Sequence, residues 1–483
     1  MRITNGMMIN NSLYNINNNK RIMDTLNTQV DTQKKIQRPS EDPIVAIRAL
    51  RLRTTYAEIS QYLDKNIPDA RSWMKTTNDA LSSINSVLTE ISYYCNQGVN
   101  DYNTVAERET LVTTLKQLRS QIYADGDADI NGNSLFTGYK TDATLTFKNA
   151  EPNTTYSITQ KFKGADVDNM NRIAGISTNS IYTADQRDIT NINFHVIKVA
   201  YDSLDSAGAV TLTNSEGTQV VVPIETRSKD TYDAAGNSVY TEVATGAAFI
   251  PETGELLLSD SVYQSMASGG SLEMTYNKTG FQKGDLKPEH YFDCTNQTTG
   301  INYTSADQEI NYTINFNQTI KVNTQAKDVL THDFGRDLDE IIYSVTAAVD
   351  AQNKIAKLNE QLAASASETE QLQIKSMITA AELELSYAEE NMGTAFSKSL
   401  DMYSKHQQTL NYELADLGAR MIRLTLNEER LSAQKLNVHD LKSQNEEVNL
   451  ATVAVQFKSA TDVYDASLAA AAKVVQNTLL DFI

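Results

Sequence analysis

Cysteine is almost missing from this chain of 483 residues: Cys95 and Cys294 stand 199 positions apart, too few to build a disulfide framework or, by themselves, a thiolate metal site. Basic residues are in deficit, with 42 Lys and Arg against 61 Asp and Glu for a formal charge of −19. No Lys/Arg-rich run is present to neutralise a string of phosphates, so no nucleic-acid partner is expected. Long apolar runs are scarce. A membrane-spanning helix needs about 20 consecutive apolar residues, whereas the stretch from Leu468 to Ala472 is stopped by Lys473, so no membrane insertion is expected. The first twenty residues carry seven Asn and neither an apolar h-region nor a small-residue cleavage site, which predicts no cleaved secretory signal.

Catalytic fingerprints are lacking as well. There is no G-x-S-x-G elbow, Walker loop, G-x-G-x-x-G or H-E-x-x-H. His195, His290, His332, His406 and His439 are scattered and read as surface or structural residues. The sequence therefore predicts neither enzyme chemistry nor a cofactor or metal site. The nearest approach is Asp127-Ala128-Asp129-Ile130-Asn131-Gly132, which matches the first six positions of an EF-hand loop. Position 8 is Ser134 where an apolar residue belongs, and position 12 is Gly138 where the bidentate Glu belongs. It reads as a polar turn ending a helix.

What is present is a marked partition of breakers. Fifteen of the twenty Gly lie between Gly126 and Gly300, and the last of seven Pro is Pro288, so residues 301–483 can hold long helices. Ile9, Ile16, Met23 and Val30 recur every seven residues on one helical stripe. Pro39 then ends that helix, and Ser40 or Asp42 can cap the next one with Pro43 in its first turn. After Pro68 the heptad resumes, with Met74, Leu81, Leu88 and Cys95 on one row and Thr77, Ile84 and Ile91 on the next, which makes Cys95 a small buried apolar residue. A further helix opens at Thr104-Val105-Ala106-Glu107 with capping-box spacing.

From about Thr141 to Val329 the period changes to two, as in Thr144–Phe147, Thr218–Val222 and Ile310–Phe316, with a hairpin expected around Gly254 between Phe249 and Leu258. Helical spacing returns at the C-terminal side, where Leu410, Leu417, Leu424, Leu431 and Val438 form a heptad row. Phe457, Tyr464, Leu468, Ala471, Val475, Leu479 and Phe482 follow at spacings of three and four. The pattern predicts an α+β chain: a long antiparallel coiled-coil rod from the N- and C-terminal segments, with a β-rich domain inserted in the middle. A helix with one apolar stripe does not repay the entropy of ordering its own backbone. The terminal helices are thus expected to pair with each other and to self-associate through Ile9, Ile16, Met23, Val30, Phe457, Tyr464, Leu468, Ala471, Val475, Leu479 and Phe482. The alternative is an intramolecular bundle that needs no partner. Met74, Leu81, Ile84, Leu88, Ile91, Leu417, Leu424 and Leu431 are the expected rod core.

Several of these residues carry a resemblance. Met1-Arg2-Ile3-Thr4-Asn5-Gly6-Met7-Met8, Arg38-Pro39-Ser40-Glu41-Asp42-Pro43, Asn131-Gly132-Asn133-Ser134-Leu135-Phe136-Thr137-Gly138 and the ending Leu479-Leu480-Asp481-Phe482-Ile483 resemble, in order, segments of the flagellin superfamily, and in particular its hook–filament junction branch. The resemblance covers about residues 1–140 and 335–483. It implies an extracellular structural protein of the bacterial flagellum, exported through the flagellar type III route without signal cleavage. It also implies a terminal core of residues 1–38 plus 445–483, a rod of 39–140 plus 330–444, and an outward-facing β-rich insert of 141–329. Implied partners are further copies in an axial ring, the adjacent hook-associated and flagellin-side subunits, and an export chaperone contacting Tyr464, Leu468, Val475 and Leu479. The alternative is a filament flagellin. Against it, the R-L-S-S-G segment expected near residues 30–37 is replaced by Val30-Asp31-Thr32-Gln33-Lys34-Lys35-Ile36-Gln37. The insert is larger than the family pattern leads one to expect, and Thr- and Tyr-bearing strands there leave saccharide binding as a further possibility.

Overall fold

The computed structural model describes residues 5–99, 105–174, 189–229 and 239–480. The chain is α+β, with long helices before and after a β-rich middle. In chain order the helices are α1 (Asn5–Thr32), α2 (Pro43–Gln61), α3 (Ile67–Gly98), α4 (Val105–Gly126), α5 (Asp260–Ala267), α6 (Ala326–Val329), α7 (Asp333–Ala364), α8 (Glu368–Glu446) and α9 (Leu450–Leu480). Two compact units result. One comprises Met1–Ala70, Tyr312–Ile320 and Ile422–Ile483, the other Arg71–Asn311 and Lys321–Met421.

In the first unit α1 is not ended by Pro39, since it stops at Thr32 where Gln33 turns to φ +57°, but the cap of α2 forms as its sequence predicts. Asp42, in extended backbone with φ −147°, accepts hydrogen bonds from the backbone N–H of Ile44 at 3.0 Å and Val45 at 3.1 Å, and Pro43 occupies the first helical turn. Pro68 behaves differently, since α2 runs into α3 through a π-turn at Tyr62–Asn66, where the Ile67 N–H reaches the Tyr62 carbonyl. Pro68 falls in the first turn of α3, where a missing donor costs least, so the helix is reset and not broken. A hairpin of Asn311–Asn315 and Gln318–Lys321 leans on this turn. Phe316 meets Tyr62 edge-on at 5.5 Å, and the Asn66 side chain donates to the Thr313 carbonyl at 2.8 Å. Leu424, Leu431 and Val438 of α8 are buried here, and Lys435 pairs with Asp64 at 3.1 Å.

In the second unit Met74, Leu81, Ile84, Leu88, Ile91 and Cys95 of α3 are buried, as are Leu410 and Leu417 of α8. Gln407 donates to Thr89 at 3.0 Å, and Phe396 lies against Gly98, so the two helices run antiparallel. Burial pushes the Cys95 and Cys294 thiols up to about 12. The α7–α8 turn is closed by Leu358, Ile374 and Ala381, with Lys354 and Glu384 paired at 2.7 Å. Among the described residues, one antiparallel sheet of six strands has the order Ile301–Tyr303, Asp293–Asn296, Glu151–Lys163, Ser271–Phe281, Ser206–Thr213, Gln219–Val222. Its Ser271–Phe281 strand alternates, sending Leu272, Met274, Tyr276 and Lys278 inward. A second sheet orders Asp168–Ala174, Thr190–Lys198, Glu255–Leu258, Ala247–Ile250 and Ile224–Thr226, the last pair parallel. The expected hairpin is there, turning at Gly254 with φ +65° and pairing Glu255 with Ile250.

Thr144–Phe147 is not the strand its β-branched pattern predicts. Asp127 takes the Leu145 and Thr146 amides on Oδ1, at 2.7 and 3.1 Å, and the Thr146 hydroxyl on Oδ2. The pairing with residues 284–287 is thus confined to a bridge between Thr146 and Leu286, flanked by the Phe147 amide on the Asp285 carbonyl, the Gly284 amide on the Phe147 carbonyl and the Lys287 amide on the Leu145 carbonyl, each at 2.9 Å. The same bonds occupy both oxygens of the first EF-hand-like carboxylate. Asp129 in turn accepts the Gly132 amide at 2.9 Å.

Helix α7 is fastened to the second sheet by a neutral set of four buried charges. Arg172 holds Glu340 with both terminal nitrogens, at 2.7 and 2.8 Å, and reaches Glu255 at 3.2 Å, while Lys198 meets Glu340 at 3.0 Å. Tyr240 and Thr253 donate to Glu255 at 3.0 and 2.9 Å. Although burial alone would raise it, the Arg172 and Lys198 charges hold the Glu340 carboxyl far below the usual carboxylate range. Removing one member of such a set strands its partners. Glu340→Ala is expected to destabilise this unit by about 3–5 kcal/mol in urea unfolding at pH 7. Because the folded-state pKa is depressed, the wild-type advantage over Glu340→Ala holds above about pH 4 and shrinks as pH falls through the folded value.

Candidate assembly interface

The two ends of the described chain meet within the first unit. Asn19 donates to Ser467 at 2.8 Å, Thr461 approaches the Met23 sulfur at 3.9 Å, and the Lys35 N–H reaches the Glu446 carbonyl at 2.8 Å. As one residue number rises the other falls, so α1 and α9 are antiparallel. Ile9, Ile16, Met23 and Val30 are half-buried along one stripe of α1, with Ser12, Asn19 and Leu26 interleaved at heptad spacing. On α9 the facing stripe is Val453, Phe457, Ala460, Thr461, Tyr464, Ser467 and Ala471.

A short crossover fixes where this pair begins. Gln33 adopts φ +57°, Lys34 bridges to Glu447, and the Val448 N–H returns to the Gln33 carbonyl at 3.2 Å. At its centre sits Glu446, whose side chain is 4% exposed. Arg53 grips it from α2, Nε to Oε1 at 2.7 Å and Nη2 to Oε2 at 2.6 Å, and Lys34 adds a contact at 3.3 Å. The Arg53 hydrogen bonds, ahead of the Lys34 charge, hold this carboxyl below its ordinary range.

Leu468 does not share the inner stripe. It is 42% exposed, because the step of three from Tyr464 brings Ser467 inward to meet Asn19 and leaves Leu468 on the flank. Phe482 lies outside the described residues, as do the side chains of Val475 and Leu479, and the opening Met1–Thr4 and the cap residue Thr104. What the apolar reading of the stripe misses is its polar membership, with Ser12 on the stripe and Asn19 bonded to Ser467, and the Arg53–Glu446 grip. The first was visible in the Asn excess and the heptad positions. The second joins residues too far apart in sequence to be paired by spacing. The outer faces of α1 and α9 carry Met7, Met8, Leu13, Tyr14, Ile22, Val455, Val463 and Leu468, all exposed.

Glu446→Gln is expected to loosen the crossover by about 1.5–3 kcal/mol, read as roughly tenfold to hundredfold faster amide exchange in α1 at pH 7. Since the folded carboxyl is depressed, the wild-type advantage fades as pH falls below about 4.

Comparison with known proteins follows the same residues. Residues 3–141 match the bacterial flagellin N-terminal helical region. The chain is 30% identical over 147 residues to flagellar hook-associated protein 3 of Salmonella typhimurium, a match covering 30% of this chain and 45% of that protein. It is 28% identical over 146 residues to flagellar hook-associated protein 3 of Escherichia coli, covering 29% and 45%. The matches thus span a little under half the length of these curated relatives. Among solved structures, the flagellar junction protein FlgL from Legionella pneumophila aligns over 78% of this chain and 99% of its own at 13% identity, with a TM-score of 0.29, too low for anything to follow from it. The chain is therefore similar over residues 3–141 to the bacterial flagellin N-terminal helical region and, over its matched segment, to flagellar hook-associated protein 3.

Proposed function

We propose that this chain is a structural subunit of the bacterial flagellum that joins hook to filament and assembles axially through its paired terminal helices. The observation that carries the reading is the α1–α9 pair, antiparallel and half-buried inside, apolar and exposed outside. A monomer has little reason to present Met7, Met8, Leu13, Tyr14, Val455 and Val463 to water on one helical pair, whereas a subunit enclosed by copies of itself does. The relatives named hook-associated protein 3 favour a joining role over a filament flagellin.

In this reading residues 1–38 and 445–483 form the inner core, 39–140 and 330–444 the rod, and 141–329 the outward domain. Neighbours are further copies in a ring, the adjacent hook-associated protein and the flagellin-side subunits. The role is mechanical, with no catalysis. Export proceeds without signal cleavage, and a chaperone covers the apolar C-terminal helix through Tyr464, Leu468, Val475 and Leu479 until assembly.

Antibody raised against residues 141–329 and viewed by electron microscopy on intact flagella is expected to give one band where hook meets filament. Label along the whole filament would make the chain a flagellin, and unlabelled flagella would remove it from the organelle. Leu468→Asp is expected to leave the helical circular dichroism of the purified chain unchanged while abolishing incorporation into flagella, because the charge enters the enclosed outer face. Normal incorporation of that variant would remove Leu468 from the assembly surface.

A further inference from the structure

Helix α8 carries a second apolar seam that its own chain leaves uncovered. In the first unit the inward row is Leu424, Leu431 and Val438. A different heptad row runs along the outside: Ile422, Leu426, Glu429, Ala433 and Leu436, at spacings of four, three, four and three, all exposed. Ile422 is 64% exposed and Leu436 64%. A solvated helix face is ordinarily polar, and a sustained heptad on it is the signature of a missing helix.

Helix α2 offers a matching face. Ile44, Ile47, Arg51, Thr54 and Glu58 follow at spacings of three, four, three and four, and all are exposed. Ile44 is 71% exposed and Leu50, beside this row, 62%. Laid antiparallel, the two rows fall into one register: Ile44 opposite Leu436, Ile47 opposite Ala433, Arg51 opposite Glu429 and Thr54 opposite Leu426, with Glu58 at Ile422 beside Arg423. Apolar layers stack at one end, and opposite charges meet further along. Neither Arg51 nor Glu429 has an ion-pair partner among the described residues.

We propose that α2 of one copy docks antiparallel on the outer seam of α8 of a second copy, a head-to-tail contact between residues 44–58 and 422–436. The occupant is identified by charge and register together: the row that complements Glu429 with Arg51 also meets Leu436 and Ala433 with isoleucines. Direction agrees. Within one chain α2 and α8 are antiparallel, as the Arg53–Glu446 and Asp64–Lys435 pairs require. Copies arranged around an axis along these helices keep their directions, so α2 is antiparallel to the neighbour's α8 as well. Because the two faces are different surfaces of the chain, the contact is heterologous and closes into a ring where the rotation permits. The inference rests on the axial assembly proposed above and names the lateral surface it uses.

The test uses full-length chain with Ile47→Cys and Ala433→Cys together, concentrated and mildly oxidised, and reads disulfide-linked species on a non-reducing gel. Cys95 and Cys294 are buried and stay silent. A ladder of multimers is expected from the double variant and not from either single one. Adding Arg51→Glu is expected to cut the ladder at least tenfold, and adding Glu429→Arg to restore it, with circular dichroism confirming that each variant is folded. No ladder, a ladder indifferent to the charge reversal, or a dimer from Ala433→Cys alone would overturn the contact. The same variants in labelled flagella separate the two readings. Label at the junction without cross-links removes this contact and keeps the junction role, whereas cross-links with unlabelled flagella uphold the contact and remove the role.

Discussion

A single buried carboxylate decides where the two ends of this chain meet. Glu446 and Lys34 lie 412 residues apart in sequence, yet they close the same crossover, and Arg53 completes it from a third segment. Charges taken out of water are stable only when their hydrogen-bonding capacity is met. That requirement forces the start of α2, the end of α8 and the beginning of α9 into one arrangement. From it follows the direction in which α1 and α9 run past each other, and from that direction follows which residues stay wet.

The second unit obeys the same logic with a different outcome. There the Arg172, Lys198, Glu255 and Glu340 set joins strands of the β-rich middle to α7. The middle segment shares one compact unit with α4, α7 and most of α8. The β-rich insert that the sequence pattern sets apart is thereby stitched to α7 by ionic groups that are largely buried.

Much of the helical architecture was legible. Heptad rows at Met74–Cys95 and Leu410–Val438 mark faces that are buried, because an apolar stripe of that period has few other uses. The Asp42 cap was legible because short polar side chain, following proline and free amides are all local. The Thr144–Phe147 segment was not, since the Leu145 and Thr146 amides are taken by Asp127 and propensity carries no record of a competing acceptor 18 residues away. The resumption of the heptad after Pro68 was legible, whereas the π-turn that carries α2 into α3 ahead of it was not. In the α1–α9 pair, the half-buried apolar members of α1 were readable from spacing, while Leu468 was displaced by a serine one position earlier, which meets Asn19. Ionic contacts across hundreds of residues leave no trace in period or composition.

That asparagine–serine contact has a consequence for fidelity. Sliding α9 along α1 by one heptad keeps apolar residues facing apolar residues almost everywhere, so hydrophobic matching alone would accept the error. It would, however, set Asn19 against Ala460 or Val474, neither of which has a side-chain oxygen to accept its amide. Losing the hydrogen bond of this half-buried amide costs about 0.5–1.5 kcal/mol, roughly a twofold to tenfold bias at each pairing event. One amide thus acts as a reading-frame mark, rejecting misaligned or foreign helices that greasier surfaces would tolerate.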